Sequence, residues 1–203
     1  MSVIGYGEDA LTFWALSTEW DSLANELKIN KVPDEEIVRL YRPSFGRGKY
    51  GFGEFDAIIS TDKVIFLIES KWENSSEVTS KGIKLTLPQQ NRHKVFHELH
   101  KKWKSVGDWD GYFQDLKGTK LEKWKVCDSK CDLAKNIKSI LKLIDPQKKK
   151  NIKNIVLLFL HPDAEDVDLT LESDIEFEKI TIGYKPNVNI DGKFFAIQNS
   201  TRP

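Results

Sequence analysis

Three carboxylates and a lysine interrupt an otherwise apolar stretch, GEFDAIISTDKVIFLIESKW, running from Gly53 to Trp72: Glu54, Asp56, Glu69 and Lys71. Charge is costly to bury unless it is paired or holds a metal. Side chains alternate across a strand. If both halves of the stretch are strands, Ile65, Leu67, Glu69 and Lys71 share one face, as do Glu54, Asp56 and Ile58. A two-residue turn at Thr61-Asp62 pairs Ser60 with Lys63. That register puts Asp56 opposite Leu67, diagonal to Glu69, and Glu54 opposite Glu69, so all four charges meet on one patch. Clustered carboxylates in low dielectric repel one another until they are protonated or joined by a cation. Hard oxygen ligands without Cys or His point to Mg²⁺ rather than Zn²⁺. Such an ion acidifies a bound water and neutralises charge on a phosphate. With a lysine beside it, the set has the parts of a phosphodiester hydrolase. The same residues also read as a buried ion-pair network that holds a hairpin in register. Glu54 reads either as an extra ligand or as a partner for Arg47 or Lys49.

The elements that must position these groups follow from periodicity. Leu11, Trp14, Ala15, Leu23, Ala24 and Leu27 recur at helical spacing, predicting helix from about 8 to 27 with STEWD as a point of interruption. IVRLYRP reads as a short strand, and 53–60 and 64–72 as a hairpin. ENSSEVTSKG reads as loop. Pro88 sits at a helix start, where it is tolerated, and Val95, Phe96, Leu99 and Trp103 form that helix's apolar stripe. DWDGYFQDLKG reads as irregular. A further helix is expected over about 131–144, and NIVLLFLH has the continuous apolarity of a strand buried on both faces. Two last strands are expected around 175–184 and 193–198. This order predicts an α/β (α+β) fold, a mixed central sheet flanked by helices. The expected organisation is one domain over 1–203 with a lysine-rich helical insertion at about 101–153.

Composition bounds the function. The 203 residues are 39% hydrophobic and 31% charged, which suits a globular domain. No apolar run approaches the ~20 residues of a membrane span. Two cysteines, Cys127 and Cys131, make no disulfide framework, and the N-terminus lacks a basic start followed by an apolar stretch. A reduced, cytoplasmic compartment is the simplest reading. Net charge is zero but uneven: residues 101–153 hold 15 Lys against 7 acidic residues. That block is either the footprint of a phosphate backbone or a solvated helical face.

Other residues have chemistry of their own. FGRGKYGFG interleaves aromatics with Arg47 and Lys49 beside the strand of Asp56, and suits contact with a phosphate. KKWK (101–104), KWK (123–125) and KKK (148–150) could line a nucleic-acid groove, although Trp103 and Trp124 read better as core. His93, His97 and His100 fall at i, i+4 and i+7; they read as a polar face that could touch phosphate rather than as a transition-metal site. The C-x3-C pair lacks the second pair a zinc ribbon needs.

GEFDAII followed by FLIESKW resembles the core signature of the PD-(D/E)xK nuclease superfamily, the restriction-endonuclease-like fold. The resemblance covers about residues 5–160, and its specific content is Asp56, Glu69 and Lys71, with Glu8 on the first helix. It implies a Mg²⁺-dependent endonuclease that hydrolyses DNA, with Mn²⁺ as a substitute. It implies Asp56 and Glu69 as metal ligands, the Ser70 backbone carbonyl completing the shell, Lys71 handling the attacking water, and Glu8 near the metal. Gln89, Gln90 or Arg92, on the helix after the core, would approach the site, with Arg47, Lys49, Gln90 and Arg92 as nucleic-acid contacts. Glu8 also reads as a favourable charge at a helix N-terminus. The literal Pro before the Asp is absent, and Ser70 replaces the more usual apolar residue. No separate DNA-reading domain is evident, which points to a homodimer, a partner subunit or structure-directed cutting. The alternatives are a catalytically inactive nucleic-acid-binding module on the same fold, and a partner-binding subunit that uses the acidic C-terminal part.

Overall fold

The fold is described from a computed structural model, for residues 2–29, 33, 36–45, 53–105, 108–114, 129–130, 132–171, 173–184, 189–190 and 194–198. In chain order the elements are β1 (Ser2–Tyr6), α1 (Gly7–Ser17), α2 (Trp20–Glu26), β2 (Val38–Tyr41), β3 (Ala57–Ser60), β4 (Val64–Trp72), β5 (Val78–Thr79) and β6 (Gly82–Ile83). They continue as α3 (Leu87–Ser105), α4 (Trp109–Gln114), α5 (Asp132–Ile144), β7 (Asn151–Leu160), β8 (Glu178–Gly183), β9 (Asn189–Ile190) and β10 (Phe194–Gln198).

β4 is the spine. All but its first residue are buried, because it lies mid-sheet with helices on both sides. The main sheet runs β2-β3-β4-β7-β8. β2, β3 and β4 are antiparallel, while β4, β7 and β8 are parallel. The parallel step from β4 to β7 needs a long crossover, which α3 to α5 supply. The result is the expected α/β architecture, a mixed sheet between helices.

Strand parity divides the core. Ala57, Ile59, Phe66 and Ile68 face α1 and α2. Ile58, Ile65 and Leu67 face α3 and α5, meeting Val95, Phe96, Leu99, Ile137 and Leu141. Beyond the first face a smaller sheet, β1-β10-β9, packs Phe195 and Ile197 against the α1 side. Among the described residues no helix is long and apolar enough to cross a membrane.

Several expectations need correction. The helix expected over 8–27 is two helices that break at Thr18-Glu19, within STEWD. β1 was not expected; its five residues lack a clean alternation, and they are held by pairing with β10 from the other end of the chain. The loop expected at ENSSEVTSKG carries the small β5–β6 ladder, and the stretch expected to be irregular holds α4. The turn between β3 and β4 is Asp62-Lys63, not Thr61-Asp62. The Thr61 hydroxyl accepts from the Val64 N–H at 3.1 Å, while the Thr61 N–H donates to the Val64 carbonyl at 2.9 Å. A side-chain acceptor thus closes the turn one residue later than composition suggests. Ser60 therefore pairs with Ile65 rather than Lys63.

Candidate active site

That two-residue shift preserves parity and improves the convergence. Extending the ladder of Ala57 with Ile68 brings Asp56 directly opposite Glu69 instead of diagonal to it. Asp56 sits just before β3, its backbone tied on both sides: its N–H donates to the Ile68 carbonyl at 3.1 Å, and its carbonyl accepts from the Arg42 N–H at 3.0 Å. Its carboxylate Oδ2 accepts the Ser70 N–H at 2.7 Å. A strand residue turns its N–H and C=O to the same side. The Ser70 carbonyl therefore also points toward Asp56, past the end of the β3 ladder. Burial, then the neighbouring Glu69 charge, pushes the Asp56 carboxyl up to about 7; the Ser70 N–H and Lys71 only partly oppose this, and Glu8 adds to the rise.

Glu69 is 1% exposed and is gripped from α3. Arg92 Nη2 donates to Oε2 at 3.0 Å, and its Nε stands 2.9 Å from Oε1 as an ion-pair contact without hydrogen-bond alignment. His93 Nε2 lies 3.2 Å from the same Oε1. The other ring nitrogen of His93, Nδ1, lies 2.7 Å from Asn154 Oδ1, and His97 Nε2 lies 2.9 Å from it. Asn154 on β7 donates its Nδ2 to the Glu176 carbonyl at 2.9 Å, which turns Oδ1 toward α3. That oxygen only accepts, so both histidines donate to it. The contact of His93 Nε2 with Glu69 ties the ring to the carboxylate.

Lys71 is as buried as Glu69, at 1%. Its ammonium lies 3.5 Å from Glu8 Oε1 and 3.9 Å from Glu77 Oε1. Glu8 stands in the first turn of α1, and its other oxygen accepts the Ser75 hydroxyl at 2.8 Å. The small Ser70 has a physical reason. It faces α1, where its Oγ lies 2.6 Å from the Thr12 Oγ1, itself 2.7 Å from the Glu8 carbonyl. An apolar side chain there would break the tie that seats Glu8 against β4.

Glu8, Arg42, Glu54, Asp56, Glu69 and Arg92 edge a cleft of about 320 Å³, while Lys71 is buried behind it and is not part of its lining. Gly53 at its rim has φ +71, and a Cβ there would stand 2.6 Å from Arg92 Nη1. Only glycine allows the chain to pass so close to that guanidinium. Glu54 pairs with Arg42 at 3.2 Å. The partners expected for it, Arg47 and Lys49, lie outside the described residues, as do Cys127, Cys131 and the 123–125 run. Arg42 also reaches Asp9 at 2.5 Å, and its backbone takes the left-handed φ +45 at the mouth of the cleft.

Arg92 and Gln89 line the cleft, as expected of the helix after the core, and Arg92 also holds Glu69 and donates to the Glu54 carbonyl. Gln90 is buried and donates to the Leu85 carbonyl at 3.0 Å. Gln89 accepts the Thr86 N–H at 2.8 Å, capping α3. His93, His97 and His100 point inward to Asn154 and Asp145 rather than outward to phosphate. Sequence reasoning missed Arg42, Thr12, Ser75 and Glu77; none stands at a spacing that marks it. The i, i+4 histidine spacing did single out His93, but its partners, Glu69 and Asn154, lie 24 and 61 residues away.

The donors suit a hard cation. Among the described residues no three His, Cys, Asp or Glu side chains converge to hold a metal by themselves. Mg²⁺ does not require that, since it takes one or two carboxylates and completes its shell with water and phosphate. Compared with family models, characterised proteins and solved structures, the chain finds no match.

Proposed function

We propose that this chain is a Mg²⁺-dependent nuclease that hydrolyses phosphodiester bonds in DNA. The observation that carries the reading is the juxtaposition of Asp56 and Glu69, opposite each other on one sheet face and open to a cleft, with Lys71 on the same strand face. Asp56 meets a single described hydrogen-bond donor, and the charges around it are mainly negative. A cation bound there would relieve that repulsion. Asp56, Glu69 and the Ser70 carbonyl would hold Mg²⁺, which supplies an acidified water and neutralises phosphate charge. Lys71, held by Glu8 and Glu77, acts on Asp56 so as to favour its ionised form. Arg92 and His93 fix the Glu69 rotamer, and Arg42 puts a cation where a phosphate would enter.

The test is incubation of plasmid, linear, single-stranded and branched DNA with Mg²⁺ or Mn²⁺. Cleavage should need the metal, and Asp56→Ala or Lys71→Ala should reduce it by roughly 10³-fold with the circular dichroism spectrum unchanged. Cleavage that persists in EDTA, or in either variant, refutes the reading. A second reading has its own observation. Both Glu69 oxygens already meet Arg92, as they would in a purely structural ion pair on a DNA-binding module that has lost its chemistry. Such a module would bind DNA yet yield no product at any Mg²⁺ concentration.

A further inference from the structure

Two lysine runs far apart in the sequence, 101–104 and 148–150, form one surface at the end of the sheet opposite the candidate site. Lys104 Nζ donates to the Lys150 carbonyl at 2.9 Å, and Lys148 Nζ stands 4.4 Å from the centre of the Trp103 ring. The β3–β4 turn joins them, with the Lys63 carbonyl accepting the Asn151 N–H at 2.9 Å. Lys63, Lys104 and Lys149 are exposed. The carboxylates beside them are Asp62, which is 3.6 Å from Lys63, and the fully buried Asp145.

The loop carrying this charge is held rigidly. Asp145 Oδ1 accepts the N–H groups of Lys149 at 2.9 Å and Lys150 at 3.3 Å, and Oδ2 meets His100 Nε2 at 2.9 Å. The Asp145 carbonyl accepts the Trp103 indole N–H at 3.2 Å. Lys148 takes the left-handed φ +57. Crowding like charges and holding a lysine in a sparsely populated conformation both cost free energy. A polyanion that docks there would offset the like-charge crowding.

We infer that this lysine surface binds the sugar–phosphate backbone of the DNA whose scissile phosphate enters the Asp56 cleft. The inference rests on the nuclease reading. α3 runs from one place to the other, with Arg92 in the cleft and Lys104 at the lysine surface. Seven ladder steps separate Val64–Asn151 from Lys71–Leu158. That is about 23 Å at ~3.3 Å per residue, or about seven phosphates along one strand. A duplex must therefore extend about seven base pairs from the cut to reach the lysines.

The test uses the full chain in EDTA, where no cleavage occurs. Fluorescence anisotropy reads its binding to labelled duplexes of about 30 and about 6 base pairs across a KCl series. The triple variant Lys63→Gln/Lys104→Gln/Lys149→Gln should bind the long duplex at least about 10-fold more weakly at low salt. The slope of log K against log salt should fall by about 0.9 per lost contact. Binding of the short duplex should change little, Mg²⁺-dependent cleavage of it should persist, and the corresponding triple Arg variant should retain the slope. An unchanged slope on the long duplex overturns the inference and leaves the nuclease reading intact, provided cleavage persists. Loss of binding to phosphatidylserine vesicles with DNA binding unaltered overturns it in favour of a lipid surface. No DNA binding by the parent chain even at low salt removes both inference and reading.

Discussion

Two carboxylates at opposite ends of the same sheet are treated in opposite ways. Asp145, at the N-terminal side of β7, is fully buried, and both its oxygens are occupied by His100 and the Lys149 and Lys150 amides. Asp56, opposite the far end of β4, meets one described donor and faces Glu69 and Glu8, and its carboxyl is raised to about 7. Both are shielded from water, Asp145 fully and Asp56 in part. What separates them is whether the surroundings satisfy the charge, and the unsatisfied one opens on a cleft. A satisfied buried carboxylate holds a loop; an unsatisfied one leaves room for a ligand of opposite charge.

The contrast is broken most forcefully by removing Asp145. Asp145→Ala strands the His100 ring and two backbone amides, and should cost about 3–5 kcal/mol. Thermal denaturation should show the midpoint falling by about 10 °C, with no recovery on adding Mg²⁺. A loss as large in Asp56→Ala would erase the distinction between the two ends.

Asp56→Asn sharpens the contrast in the other direction, because it should stabilise the fold. In the unfolded chain Asp56 titrates near its ordinary 3.8, and in the folded protein near 7. Between those values the unfolded state has released a proton that the native state keeps, so the contribution of Asp56 to stability falls as pH rises and levels off above about 7. The melting midpoint of Asp56→Asn should match the parent below pH ~4 and exceed it by about 5 °C at pH ~8. Added Mg²⁺ should close that gap by stabilising the parent alone. An advantage for Asn that does not vary with pH would show that Asp56 is not the strained charge.

The smallest expected effect concerns the support around Lys71. Ser75→Ala removes the hydroxyl that donates to Glu8 and accepts the Trp72 N–H. It should cost about 1 kcal/mol in denaturant titration and lower the proposed Mg²⁺-dependent cleavage by less than about 10-fold. An effect on turnover as great as that of Lys71→Ala would promote Ser75 from support to chemistry.

Much of this organisation is local and therefore legible. Alternation sets which strand residues share a face, so Asp56, Glu69 and Lys71 are grouped by parity alone, and a register error of two residues leaves the grouping intact. The apolar run of β7 and the stripes of α3 and α5 mark buried elements by composition and period in the same way. β1 was illegible because a five-residue strand is specified by its partner, β10, which lies almost 190 residues later. The pairing of Asp56 with Glu69 depended on one hydroxyl, that of Thr61, closing the turn late.

By itself the sequence determined the faces, the central buried strands and the group of acids and lysine they carry, since period-2 and period-3.6 patterns are properties of neighbours along the chain. Only the tertiary structure decided which acids are satisfied. Arg92 and His93 on Glu69, Glu8 on Lys71, and His100 on Asp145 all come from other elements. It also decided that the lysine runs meet at the end away from the cleft. A charge's energy depends on what lies within a few ångströms in space, and packing rather than chain order sets that distance.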